Sequence, residues 1–150
     1  METDGWIAPR TADEAHEGYT AVGPTAQVLV REIARAMVFD REEYAERVDE
    51  DVVATARDAL FASLLEVRVG SRETFDAWLE DNAYTRDEVH EVGSEHVDNV
   101  VWHVAPWASQ VVAATFQDER DAAVATLRRV AFGRIYRDLF DDPGAESGAD

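Results

Sequence analysis

Two runs rich in β-branched and aromatic residues, Asn99-Val100-Val101-Trp102-His103-Val104-Ala105 and Gln110-Val111-Val112-Ala113-Ala114-Thr115-Phe116, are separated only by Pro106-Trp107-Ala108-Ser109. A gap that short makes antiparallel pairing through a hairpin the direct way to satisfy their backbone groups. Val100, Trp102 and Val104 share one parity while Val101 and His103 share the other, so the hairpin is expected to be covered on both faces. A helical pattern follows from Asp118: Val124, Leu127, Ala131, Ile135 and Leu139 recur at steps of three, four, four and four. Asp118, Glu119 and Asp121 crowd the first turn, where the helix dipole favours acids. This hairpin and the helix to Phe140 form the frame that the rest of the chain must complete.

Upstream, Met1 to Arg10 contains Gly5 and Pro9 and is expected to be irregular, anchored through Trp6. Thr11 and Glu14 fit a capping box for a short helix through Tyr19, stopped by Gly23-Pro24. Pro24 then opens a helix to about Phe39 with Ala26, Leu29, Val30, Ile33 and Met37 on one apolar stripe. Asp40 and Glu43 start a short helix to Val48, and Asp49 or Asp51 starts a third with Val52, Val53, Ala56, Leu60 and Phe61 inward.

Leu65 to Val69 alternates with period two before Gly70-Ser71, which indicates a strand; a continued helix from Leu64 is the alternative. Ser71 suits the N-cap of a helix through Asp81, with Phe75, Trp78 and Leu79 as its aromatic and apolar face. Glu88 to Val92 alternates again. The expected class is α+β: an N-terminal helical layer, then a small mixed, mainly antiparallel sheet of four strands with a C-terminal hairpin and a long terminal helix. The two strands flanking Ser71 to Asp81 are expected to pair in parallel. Residues 1–140 suit one domain, and 141–150, with no large apolar group, a disordered acidic tail.

Charge narrows the setting. All fourteen basic residues are arginine, against thirty-two Asp and Glu, for a formal charge of -18. Because 46% of residues are hydrophobic, this charge belongs to a folded surface rather than to a disordered chain. Such acidity argues against binding nucleic acid or an anionic membrane, since phosphate binding is driven by Lys and Arg. The lack of cysteine closes the disulfide, zinc-ribbon and thiol-nucleophile classes. Nothing resembles a signal peptide or a membrane span, so a soluble cytoplasmic protein is expected.

Four features carry possible chemistry. Glu91, Ser94, Glu95, His96, Asp98 and His103 lie within thirteen residues. Glu91, His96, Asp98 and His103 could ligate a divalent metal, and His96, His103 and Glu95 could serve as an acid-base set. Their spacing matches no established motif, and His103 in the strand equally suits a core hydrogen bond. No other cofactor is expected.

Arg129, Gly133 and Arg137 fall at i, i+4 and i+8, amid Arg128 and Arg134, with no acid between Asp121 and Asp138. They suit an anion or a partner surface, or else pairing with acids of the N-terminal helices. Gly70-Ser71-Arg72 reads as an anion-binding turn or an ordinary cap, and neither a phosphate-loop nor a dinucleotide motif is present. Trp107, in the hairpin turn, either folds back onto the helical layer or anchors a partner or second copy.

The stretches Glu91 to Asp98, Val100 to Pro106 and Ala131 to Arg137 resemble a small haloarchaeal family of unknown function, over Thr11 to Phe140. The lysine-free acidic composition is likewise similar to cytoplasmic proteins of extremely halophilic archaea. The resemblance implies habitat and extent but no catalytic residue. From the residues, the leading expectation is a non-enzymatic binding or assembly module that uses the hairpin turn and the arginine face of the last helix. The rivals are a metal-binding or hydrolase-like protein at His96 and His103, and a binder of an anionic small molecule at Arg129 and Arg137.

At molar salt the Debye length falls to about 3 Å and screens exposed carboxylates from one another. Thermal melts are therefore expected to show a lower midpoint in 0.1 M than in molar KCl; an unchanged midpoint would refute the electrostatic reading.

Overall fold

The computed structural model describes residues 1–141 and has the expected α+β class. In chain order the elements are β1 (Glu2–Asp4), α1 (Ala12–Ala21), α2 (Gly23–Ala36), α3 (Arg41–Arg47), α4 (Glu50–Ser63), β2 (Val67–Ser71), α5 (Arg72–Asp81), β3 (Val89–Val92), β4 (Asn99–Ala105), β5 (Gln110–Phe116) and α6 (Arg120–Ala131). A π-helical segment, Phe132–Tyr136, joins α6 to α7 (Arg137–Asp141). The tail expected over 141–150 lies, beyond Asp141, outside the described residues.

The helix starts follow local side-chain chemistry. Thr11 Oγ1 accepts from the Glu14 amide at 3.1 Å, Asp40 Oδ1 from Glu43 at 2.8 Å, Asp49 Oδ1 from Val52 at 2.9 Å and Ser71 Oγ from Thr74 at 3.1 Å. Each satisfies an amide that the first helical turn leaves without a backbone partner.

The sheet runs β1-β2-β4-β5-β3, antiparallel except for the parallel pair β3 and β5. Among the described residues five strands are present where four are expected, because Glu2–Asp4 pairs with Val67–Val69 instead of remaining irregular. Trp6 is exposed and Ile7 is the real anchor: it bridges Leu65 and packs against the core. The strand expected over Leu65 to Val69 is displaced toward Gly70-Ser71, with α4 running on to Ser63.

The strands flanking α5 share a direction, as expected, but do not pair. The hairpin lies between them, so α5 spans two strands to reach the far edge. The hairpin strands are the most apolar on both faces and take the centre, while the half-buried β3, with His90 and Glu91, takes an edge.

Burial divides by strand parity. Val67, Val101, Ala105, Val112 and Ala114 face the helical layer, packing with Phe61 of α4 and with Val124, Leu127 and Ala131 of α6. Val100, Trp102, Val111 and Ala113 face Phe75 and Leu79 of α5. Of the apolar stripe expected on α2, Ala26 and Val30 are buried, with Ala34 beside them, but Leu29, Ile33 and Met37 stay exposed. In α4, likewise, Phe61 is buried and Val52 is not. Among the described residues no helix is long and apolar enough to cross a membrane.

Phe61 sits at the junction of the helical layer, edge-on to Tyr19, Phe132, Tyr136 and Phe140 with ring centroids 5.1 to 6.1 Å away. Phe61→Ala is expected to lower unfolding free energy by about 3–5 kcal/mol in urea titrations at molar salt; a loss within error of zero would mean that the helical layer is not packed on the sheet through this ring.

Candidate functional site

A cleft of about 500 Å³ lies between α4 and the last helix. Thr55, Asp58, Ala59, Ala62 and Ser63 supply one wall at helical spacing, and Ala125, Arg128, Arg129 and Phe132 the other, with Arg137 at the end. Alanines from both helices face the space, so the backbones stay packed while the side chains leave a gap. Phe132, almost fully buried, contributes an apolar surface.

Three arginines border the cleft and differ in what holds them. Arg128 is half-buried; its Nε donates to the Leu65 carbonyl at 2.9 Å, and Nη2 lies 3.8 Å from Asp4. It is thus part of the joint between the helix and the sheet. Arg137 lies over the Phe132 ring at 5.6 Å, a cation-π distance. Arg129 is exposed and, among the described residues, makes neither an ion pair nor a hydrogen bond.

A Cβ added at Gly133 would stand 3.7 Å from Arg137 Nη1, so the guanidinium lies across the space that a side chain there would share. Asp58 is the acid of the cleft wall, and it is engaged from the other side: Tyr19 Oη donates to it at 2.5 Å. Burial, reinforced by that carboxylate, pushes the Tyr19 hydroxyl well above the usual phenol range. Arg57 completes the joint, donating to the Tyr19 carbonyl at 2.9 Å and lying 4.0 Å over its ring.

The π-helical segment explains why Arg129 and Arg137 serve one cleft. Eight residues of regular helix would turn them about 80° apart at 100° per residue. A π turn takes up one extra residue, which reduces the offset to about 20°. The same turn brings Tyr136 inward beside Ile135. Successive apolar steps of four, from Leu127 through Leu139, were the trace of this widened turn in the sequence; a regular helix drifts off a four-residue step.

Tyr136 meets His103, a partnership that sequence spacing does not reveal. His103 Nδ1 is 2.7 Å from the Glu66 carbonyl, and Nε2 is 2.7 Å from Tyr136 Oη. A carbonyl only accepts, so Nδ1 carries the ring proton and Nε2 accepts from the tyrosine. Burial lowers the imidazole pKa to about 4, opposed by the Glu66 hydrogen bond and assisted by Arg68 and Arg128. Burial likewise pushes the Tyr136 hydroxyl far above its usual range.

His96 lies elsewhere, on the exposed loop after β3, with Nε2 3.9 Å from Glu95 and its amide on Ser94 Oγ. Asp98 is exposed on the same loop. Glu91 pairs with Arg72 at 2.7 Å, and Arg72 also donates to the Ser94 and Val97 carbonyls, both at 3.3 Å. The cation at the centre of this acidic loop is therefore a guanidinium, and its hydrogen bond to Glu91 raises the Arg72 pKa. Among the described residues no group of three or more His, Asp or Glu is arranged to hold a metal ion. Ser71 of Gly70-Ser71-Arg72 is occupied as the α5 cap. Trp107 is half-buried, its ring 5.7 Å from that of Tyr136.

Comparison with known proteins adds extent rather than chemistry. The model of a family of unknown function (DUF5809) matches residues 6–137, which include both walls of the cleft, His103 and Tyr136. No curated protein and no solved structure matches the chain.

The His103 pKa of about 4 lies below the ordinary 6.5, so on acidification the unfolded chain takes up this proton first. The stability tied to the neutral ring is complete above pH 6.5 and declines as pH falls toward 4. Ring-nitrogen NMR shifts are expected to show the Nδ1–H tautomer persisting from neutral pH to about 4; titration of His103 at its ordinary value would contradict the buried arrangement.

Proposed function

The chain belongs to a family of unknown function, DUF5809, and we propose from its site that it is a non-enzymatic binding module taking a small organic anion with a flat apolar body into the α4–α6 cleft. One observation carries this reading. In a chain with thirty-two acids, Arg129 and Arg137 stand at an apolar cleft with no acidic partner among the described residues. A carboxylate, phosphate or sulfonate would supply the missing charge, and guanidinium forks suit such planar or branched oxyanions.

The apolar body would lie on Ala59, Ala62, Ala125 and Phe132, while Thr55 and Ser63 offer hydroxyls at the margins. An apolar wall matters in the saline cytoplasm that the composition suggests, because salt screens exposed charges but strengthens or spares apolar contact. The inward-turned Trp107 favours the cleft over the hairpin turn as the binding surface. Both ring nitrogens of His103 are engaged in the core while His96 is exposed on a loop, so the geometry supports binding here better than a two-histidine centre.

The test uses 2-naphthoate, which combines a carboxylate with a fused-ring body, in an amide NMR titration at molar KCl. Shift changes are expected at Ala59, Ala62, Ala125 and Phe132. Replacing both arginines, Arg129→Ala with Arg137→Ala, is expected to weaken binding by about tenfold or more, since each charge-assisted contact is worth about 1.5–3 kcal/mol before screening. Arg10→Ala should leave it unchanged. Absent cleft shifts, or an unaltered affinity in the double variant, would overturn the reading.

A further inference from the structure

The stripe that α2 leaves uncovered is the second departure from an otherwise acidic surface. Leu29, Ile33 and Met37 recur at i, i+4 and i+8 and are 43%, 52% and 59% exposed. They continue into Val38, which is 83% exposed. Single exposed apolar residues are ordinary, but a contiguous row is not.

Val38 is held there against its own backbone preference. It has φ +58°, in the left-handed region that suits glycine and disfavours a β-branched residue. Its amide bonds to the Arg35 carbonyl at 3.0 Å and the Phe39 amide to Ala34 at 3.1 Å, the pattern that closes a helix with a left-handed residue. Glycine would end α2 with less strain, yet an isopropyl group extends the stripe.

Charge identifies what can cover it. From Gly18 to Phe39 the sole acid is Glu32, and arginines 31 and 35 flank it. Glu32 is already balanced by Arg35 at 3.1 Å on the same helix. Elsewhere, two copies of a chain with a charge of -18 would bring carboxylates against carboxylates. At α2 they would not, and with both signs on its flank Glu32 of one copy can meet an arginine of the other. A twofold contact requires this kind of self-complementary surface.

We propose that the exposed stripe of α2, from Leu29 to Val38, is the contact by which two copies of this chain form an antiparallel helix-to-helix dimer. The surface is separate from the α4–α6 cleft, and the proposal does not depend on the ligand-binding reading. A single pair of short helices buries less than a permanent dimer does, so the association is concentration-dependent.

Sedimentation equilibrium of the full chain in molar KCl, over a series reaching millimolar protein, tests it. The mass is expected to rise from 16.7 kDa toward that of a dimer and no further. Ile33→Glu, at an exposed position that the fold does not need, should weaken association by about tenfold or more. Val38→Gly should weaken it too while raising the melting temperature of the dilute monomer, a pair of opposite effects that a folding defect cannot imitate. The Arg129→Ala, Arg137→Ala double variant should dimerise as the native chain does. A chain that stays monomeric throughout, growth beyond a dimer, or association untouched by Ile33→Glu would each overturn the proposal, as would its loss in the arginine double variant.

Discussion

His103, buried in the centre of the sheet, must spend both ring nitrogens on protein partners, because water does not reach it and an unsatisfied nitrogen there costs about 1–3 kcal/mol. Its partners come from two other parts of the chain, the Glu66 carbonyl just before β2 and the Tyr136 hydroxyl at the end of the π-helical segment. The hydrogen bonds thus tie the hairpin to its neighbouring strand and to the last helix. Around them the fit is apolar: Tyr136 lies against Phe61 and Trp107, and Phe61 in turn against Tyr19 and Phe140. The orientation of the last helix follows from that anchor.

The consequence reaches the surface. A helix that turned regularly could not aim Tyr136 at the histidine and keep Arg137 in phase with Arg129. The wider π turn does both, and the residue it absorbs is the structural link between a core hydrogen bond and the arginine border of the cleft. On the opposite wall, Tyr19 donates to Asp58, so the carboxylate of that wall already has a hydrogen-bond partner. Most remaining arginines near the sheet are neutralised locally: Arg72 by Glu91, Arg68 by Glu66, and Arg120 by Glu2, Asp4 and Asp121. Against this background of local pairing, the cleft mouth and α2 stand out as places where the acidic surface is interrupted.

Much of this was legible from short-range pattern. The hairpin boundaries, the caps at Thr11, Asp40 and Ser71, and the two-sided burial of Val100 to Val104 follow from alternation and from side chains that reach their own helix starts, whereas the structure decided for Asp49 over Asp51 at α4. The arginine face was visible as a reversal of charge, though its opposite wall on α4 was not, since Thr55, Asp58, Ala59 and Ala62 carry no distinctive chemistry until a second helix faces them. The acidic loop around His96 showed the reverse case. It looked like a ligand set in sequence, but a guanidinium from α5 fills its centre.

Sequence by itself determined the α+β class, the sign of the surface and the elements whose hydrogen bonds close within a few residues. Tertiary structure decided the strand order, the inward turn of Trp107, the β1 pairing at the edge, the His103–Tyr136 bond and the half-covered stripe of α2. The division has a physical cause. Periodicity records which face of an element is apolar, and a cap is a contact between residues three apart, so both are written locally. Which partner meets a face depends on the competition among all available faces for the sheet centre, and that competition is settled only when the chain is packed.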